Sequence, residues 1–222
     1  MKRLIIALSL IIFSISGIAQ EGNFGFLLGT SYYNGELNPR QQFYMPSPAA
    51  GFSYKHNFNK RWSFNINFDY MMIRGNDAKT DDVYQNWRNY AFTSTVWDLG
   101  TQVELNFFEF DKENLMIEYF TPYISTGIYL TYIKNSYRPF FPSIPFEFGL
   151  KYALTKNITI GASWQQRWTM SDYIDNLQDD NFQLYNKQRN NNPDNDWISR
   201  ASVFVYIKVF REEMPCPAYG GF

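Results

Sequence analysis

The chain alternates bulky apolar and polar residues with a period of two along eight stretches, and no window shows a convincing helical repeat. In 144–152, Ile144, Phe146, Phe148, Leu150 and Tyr152 fall on one side, with Glu147, Gly149 and Lys151 on the other. In 97–107, Trp97, Leu99, Val103, Leu105 and Phe107 oppose Asp98, Gly100, Gln102, Glu104 and Asn106. In 62–70, Trp62, Phe64, Ile66, Phe68 and Tyr70 oppose Ser63, Asn65, Asn67 and Asp69. Successive side chains of an extended chain point to opposite faces, so each stretch reads as a strand with one apolar face. The predicted strands are Asn23–Leu37, Ala49–Phe58, Arg61–Arg74, Ala91–Phe110, Met116–Ile133, Ile144–Leu154, Asn157–Ser171 and Trp197–Phe210.

The connections alternate in length. Tight turns are expected near Asn59–Lys60, at Asp111–Asn114 and at Thr155–Lys156; the other connections are long and polar. Alternating short and long connections put all turns of one kind at one end. An up-and-down antiparallel barrel with an even strand number has that form.

Alternation does not say which way the apolar face points. A soluble barrel would turn it inward; an outer-membrane barrel turns it toward lipid. Aromatic residues make up 20% of the chain, and the apolar face carries Trp, Phe, Tyr and Ile on nearly every strand. Those side chains would overfill an eight-stranded barrel, whose interior is just wide enough for side chains. The opposite face holds Gly25, Gly29, Gly51, Gly100, Gly127, Gly149 and Gly161, which suit a crowded interior. Trp62, Tyr132, Trp168 and Trp197 lie near strand ends, where interfacial belts form. The expected fold is therefore an all-β, eight-stranded, up-and-down antiparallel transmembrane barrel. Its lumen would carry Lys55, Asp69, Asp98, Glu104, Glu147, Lys151, Arg167, Arg200 and Lys208. Unpaired buried charges are costly, so these are expected to pair into a structural plug rather than line a channel.

The ends fit export to an outer membrane. Lys2 and Arg3 precede the apolar run Leu4–Phe13, and Gly17 and Ala19 are small, so residues 1–19 read as a signal peptide. The barrel would occupy 20–210, with short turns at the periplasmic side, long loops outside, and 211–222 as a periplasmic tail. Basic and acidic residues number 20 and 21, with no basic cluster, which gives no reason to expect a nucleic-acid partner.

Catalytic chemistry is sparse. The one histidine, His56, has no partners at ligand or catalytic spacing and is expected as an exposed strand-end residue. The Asp- and Asn-rich stretch Asp175–Asp196 lacks the spacing of a calcium loop and reads as a solvated outer loop. No catalytic, cofactor or metal residues are assigned. The one cysteine, Cys216, lies in the tail between prolines, and could dock a partner through a disulfide or remain a free thiol.

Several ordered motifs carry a family resemblance: SYYNGELNP (31–39), RNYAFTS (88–94), NFFEF (106–110), FTPYISTG (120–127), IPFEFGLKY (144–152), SDYID (171–175) and NDW (195–197). Together they resemble the PorG-like outer-membrane barrels of the Bacteroidetes type, part of type IX protein secretion and gliding machinery. The resemblance implies a non-enzymatic anchoring component with periplasmic ring proteins, one a lipoprotein, as partners. The short connection expected over Lys134–Ser143 departs from the longer Gly-rich insertion of that family. A paralogue, or a stand-alone barrel with a structural, adhesive or minor transport role, is the alternative.

Overall fold

The computed structural model describes residues 22–35, 42–76, 91–111, 118–134, 136, 138–171, 174 and 196–209. The strands are β1 (Gly22–Asn34), β2 (Ser47–Asn57), β3 (Trp62–Asn76), β4 (Ala91–Asn106), β5 (Phe120–Ile133), β6 (Phe140–Ala153), β7 (Ile158–Thr169) and β8 (Trp197–Lys208). Each pairs antiparallel with its sequence neighbours, and β1 pairs with β8 to close the barrel. Closure removes every free strand edge.

The alternation predicts the wall correctly. Leu28, Phe52, Leu99, Ile128, Phe146, Phe148 and Val203 are exposed on the outside, while Asp69, Asp98, Gln102, Glu104 and Arg167 are buried inside. A wall of large exposed apolar side chains around a charged interior inverts the soluble arrangement and suits lipid.

Cross-strand register aligns the aromatics into belts. Tyr70, Trp97, Tyr132 and Phe140 form one lateral row across β3 to β6. Tyr70 meets Trp97 at 4.7 Å and Tyr132 meets Phe140 at 4.8 Å between ring centroids. At the opposite end Tyr119 meets Tyr152 at 5.4 Å, and Trp62 starts β3. From Phe140 to Tyr152, β6 climbs about 40 Å at ~3.4 Å per residue, or about 30 Å along the axis at ~40° tilt. That matches the thickness of a bilayer's hydrocarbon core.

Most strand boundaries shift by one to three residues, and three shift by four. Residues Phe140–Ser143 belong to β6, so the connection after β5 runs only over 134–139. Pro142 obscures this in the sequence. The β5–β6 pairing skips Gly127 and Ile128 opposite Ile144 and Pro145, where a proline has no N–H to donate. Conversely, Phe107–Phe110 leaves the wall and β5 begins at Phe120, so the β4–β5 connection spans 107–119. It folds beside the β2–β3 turn: Phe110 N donates to Lys60 O at 3.2 Å, and Asn106 N to Arg61 O at 2.7 Å. Connection length thus separates the ends less sharply than the sequence suggests.

His56 is also corrected. It is buried rather than exposed, with its ring edge-on to Phe58 at 5.2 Å.

Candidate functional site: a charged, filled lumen

Every candidate lumen charge projects inward. Lys55 of β2 and Lys151 of β6 both reach Glu104 of β4; the Lys55 contact is 2.7 Å. Farther along the axis runs a second chain of charges. Glu147 pairs with Arg200 at 3.1 Å, Arg200 with Asp69 at 2.5 Å, Asp69 with Arg167 at 3.5 Å, and Arg167 with Asp98. The Arg200–Asp69 contact is an ion pair without hydrogen-bond alignment, since neither Arg200 Nη1 nor Asp69 Oδ2 completes a hydrogen bond. These pairs join four cations to four anions, with signs alternating along each chain. Low-dielectric burial makes that alternation necessary. Lys208 lies farther along the same face, half-buried at the end of β8.

Neutral side chains complete the packing, and the sequence reading missed most of them. Tyr123 donates to Glu147 at 2.7 Å, and its ring lies under Lys151 at 4.8 Å and Lys55 at 5.6 Å, joining the two charge chains. Gln165 donates to Glu147 at 3.0 Å and Thr131 to Asp98 at 2.6 Å. Arg167 stacks over Tyr129 at 4.4 Å, and Tyr129 donates to Gln102 at 3.2 Å. The inward glycines make room for these rings. A Cβ on Gly25 would lie 2.4 Å from Tyr206, and one on Gly100 would lie 2.5 Å from Tyr129. Parity alone could have placed all of these residues inside.

The interior is not polar throughout. At the long-loop end, Tyr33, Ala49, Met71, Ile73, Val96, Ile133, Phe141, Ile174 and Ile198 form a buried apolar cluster. Beside it, Tyr33 donates to Asp196. The expectation of a small, polar lumen fails here. Apolar packing and charge pairing together fill the barrel along its axis.

The outer wall also carries a hydrogen-bonded polar patch. Gln166, Ser199 and Tyr32 form a lateral row across β7, β8 and β1. Ser199 donates to Gln166 at 2.6 Å, and Trp164 donates to Tyr32 at 2.7 Å. Gln42 accepts from Tyr32 at 3.0 Å, and Phe43 lies against the Tyr32 ring at 4.9 Å. Gln42 and Phe43, which precede β2, therefore cover this patch.

Outside the wall, Lys60 bridges the two turns at the short-turn end, 2.9 Å from Glu118 and 3.3 Å from Asp111. Hydrogen bonds to Glu118 and Asp111 hold its ammonium above its ordinary pKa. Residues 1–19 and Cys216 lie outside the described residues, as does most of Asp175–Asp196. Among the described residues no group of three or more potential ligands could hold a metal.

An outward apolar wall, aromatic belts and a filled, charge-paired lumen define an outer-membrane-type eight-stranded barrel. Solved structures share this fold. Neisserial surface protein A is 12% identical with a TM-score of 0.50, covering 86% of this chain and 97% of that one. OprG from Pseudomonas aeruginosa is 8% identical with a TM-score of 0.48, covering 86% and 98%. The outer-membrane enzyme PagL is 10% identical with a TM-score of 0.42, covering 84% and 99%. At 12% identity the likeness to Neisserial surface protein A is one of fold alone. No functionally curated protein matches the sequence. Residues 2–218 match the model of a domain of unknown function, DUF6089, and the chain belongs to that family.

Proposed function

We propose that the protein is a non-enzymatic, non-conducting outer-membrane barrel that anchors other proteins. The observation that supports this most is the filled lumen. Its charges face one another rather than a substrate space, and an apolar cluster occupies its long-loop end. A barrel of this size leaves no aqueous path when side chains fill it. Its two ends and its outer wall are then the surfaces through which it acts.

On the ordered motifs it shares with PorG-like barrels, we assign it to a type IX-like secretion apparatus, exported by the signal at 1–19 and docked to periplasmic ring proteins. Cys216 in the tail is a candidate docking contact. In this reading, affinity capture of the full chain from membranes brings down a periplasmic lipoprotein and its partner. Deleting the gene leaves secreted cargo inside the cell. An unchanged secretome would refute the secretion role and leave a stand-alone structural barrel. A single monomer band on non-reducing gels would refute a disulfide at Cys216.

A further inference from the structure

At the long-loop end, two cations stand on the outer wall. Arg74 of β3 is half-buried, four residues beyond the belt residue Tyr70, and Lys134 is exposed, two residues beyond Tyr132. Both keep the outward parity of those aromatics. Lateral rows climb around the barrel: the row that leaves β1 at Phe24 returns to it at Asn34, ten residues nearer the long loops. Two strands therefore climb by about two to three residues, which brings Arg74 and Lys134 to nearly one height, just above the belt. Strand β4 runs between them. Thr93 lies opposite Arg74, and Lys134 N donates to Thr95 O at 2.9 Å, so both threonines separate the two cations, with Trp97 beneath.

Three observations make this cluster a site for an anionic headgroup. First, the carboxylates described at this end, Asp69, Asp98 and Asp196, are buried in the lumen, which leaves the positive charge on the wall. Second, Arg74 Nε is buried and has no hydrogen-bond partner, and a buried donor calls for an acceptor. Third, Trp97 and Tyr132 mark the boundary between hydrocarbon and headgroups, so at this level the wall faces lipid headgroups.

We propose that Arg74 and Lys134 bind the headgroup of one membrane lipid that ends in a phosphomonoester. Such a group carries about −1.5 to −2 charge at pH 7, which matches two cations, whereas a phosphodiester carries a single charge. The planar guanidinium fits phosphate with paired donors, the ammonium adds a point charge, and the Thr93 and Thr95 hydroxyls can donate from between them. Strands β3 and β5 lie about 10 Å apart, two strand spacings, so long side chains from both can close on one phosphate over β4. The acyl chains of that lipid run down the wall over Trp97, Leu99 and Leu130, all exposed. The site stands on the wall and its register and does not depend on the secretion reading.

The test is native mass spectrometry of the purified full chain in neutral detergent, with gel mobility as the check of folding. The chain is titrated with short-chain phosphatidic acid, a phosphomonoester, or with phosphatidylglycerol, a phosphodiester. One phosphatidic acid is expected to bind per chain, roughly tenfold more tightly than phosphatidylglycerol. Arg74→Gln/Lys134→Gln weakens phosphatidic acid binding roughly tenfold or more, the effect of losing hydrogen bonds to a charged group, and removes the preference. Lys60→Gln, at the other end of the barrel, leaves binding unchanged. Equal binding of the two lipids, binding untouched by the double variant, or the same loss from Lys60→Gln overturns the proposal. Displacement of phosphatidic acid by an equal concentration of inorganic phosphate means that the free anion is recognised, and overturns the lipid assignment.

Discussion

Glu104→Gln tests whether the lumen is packed or wet. Glu104 is the carboxylate that Lys55 and Lys151 share, and the three side chains are 1%, 6% and 3% exposed. It also accepts from Asn65 at 3.3 Å. Glutamine keeps the shape but removes the charge, and its amide nitrogen turns donors toward a group that is itself a donor. Breaking a buried ion pair by removing one partner costs about 3–5 kcal/mol. The alternative response, one lysine giving up its proton at pH 7, costs about 4–5 kcal/mol from an ordinary pKa near 10.4. Both routes place the loss at about 4 kcal/mol, a large part of a typical domain's 5–15 kcal/mol. Replacing all three residues, as Lys55→Met/Glu104→Leu/Lys151→Met, removes the charges together and is expected to be neutral or stabilising by about 1–4 kcal/mol. The assay is urea unfolding of the chain in lipid vesicles, followed by tryptophan fluorescence and gel mobility. A loss below about 1 kcal/mol for Glu104→Gln would equal that of an exposed pair and refute the packed lumen.

Other perturbations separate wall, interior and turns. Ile128→Arg places a charge on the outer wall between the two aromatic belts and should cost about 2–4 kcal/mol in vesicles, a penalty that an exposed residue of a soluble barrel would not show. Gly25→Val drives a side chain into the Tyr206 ring, which is held by its bond to Ser53 at 3.0 Å, and should cost about 1–3 kcal/mol in the same titration. Lys60→Ala removes a half-exposed pair and should leave the urea midpoint essentially unchanged despite two carboxylate partners, because solvent screens such pairs. Planar-bilayer recordings of the unaltered chain should show no single-channel steps; regular steps would refute the filled lumen.

The sequence carried the sidedness of this fold because sidedness is a parity, and parity survives small errors in strand ends. Trp97 and Asp98 point to opposite faces whether β4 stops at Asn106 or Phe110. Axial level is not a parity. Met71 and Ile73 share the inward face with Ser63 and Asp69, and only the register between strands shows that they meet Val96 and Ile133 at one end. The apolar cluster was therefore invisible, although its members were assignable to the inside. Proline misled in the opposite sense. Pro142 and its neighbours read as loop, yet β6 holds them because Phe141 and Ser143 stay in register with Thr131 and Tyr129, and the pairing skips only Gly127 and Ile128.

Gln166 shows how local exceptions become legible only in three dimensions. On parity alone it is a polar residue facing lipid, which is unfavourable. Its amide accepts from Ser199 at 2.6 Å and donates to Gln42 at 3.4 Å, a residue far away in sequence. Both φ angles of Phe43 and Met45, 61° and 47°, lie in the left-handed region, where a side chain other than glycine is strained. This strap, residues 42–45, therefore holds an unfavourable backbone, and the contacts of Gln42 with Tyr32 and Gln166 and of Phe43 with Tyr32 are what offset that cost. If so, Gln166→Leu loosens the strap even though leucine suits lipid better. Faster proteolysis within the β1–β2 connection of that variant, with the barrel still folded, is the expected result; unchanged cleavage would mean that the strap is held by Tyr32 and Phe43 alone.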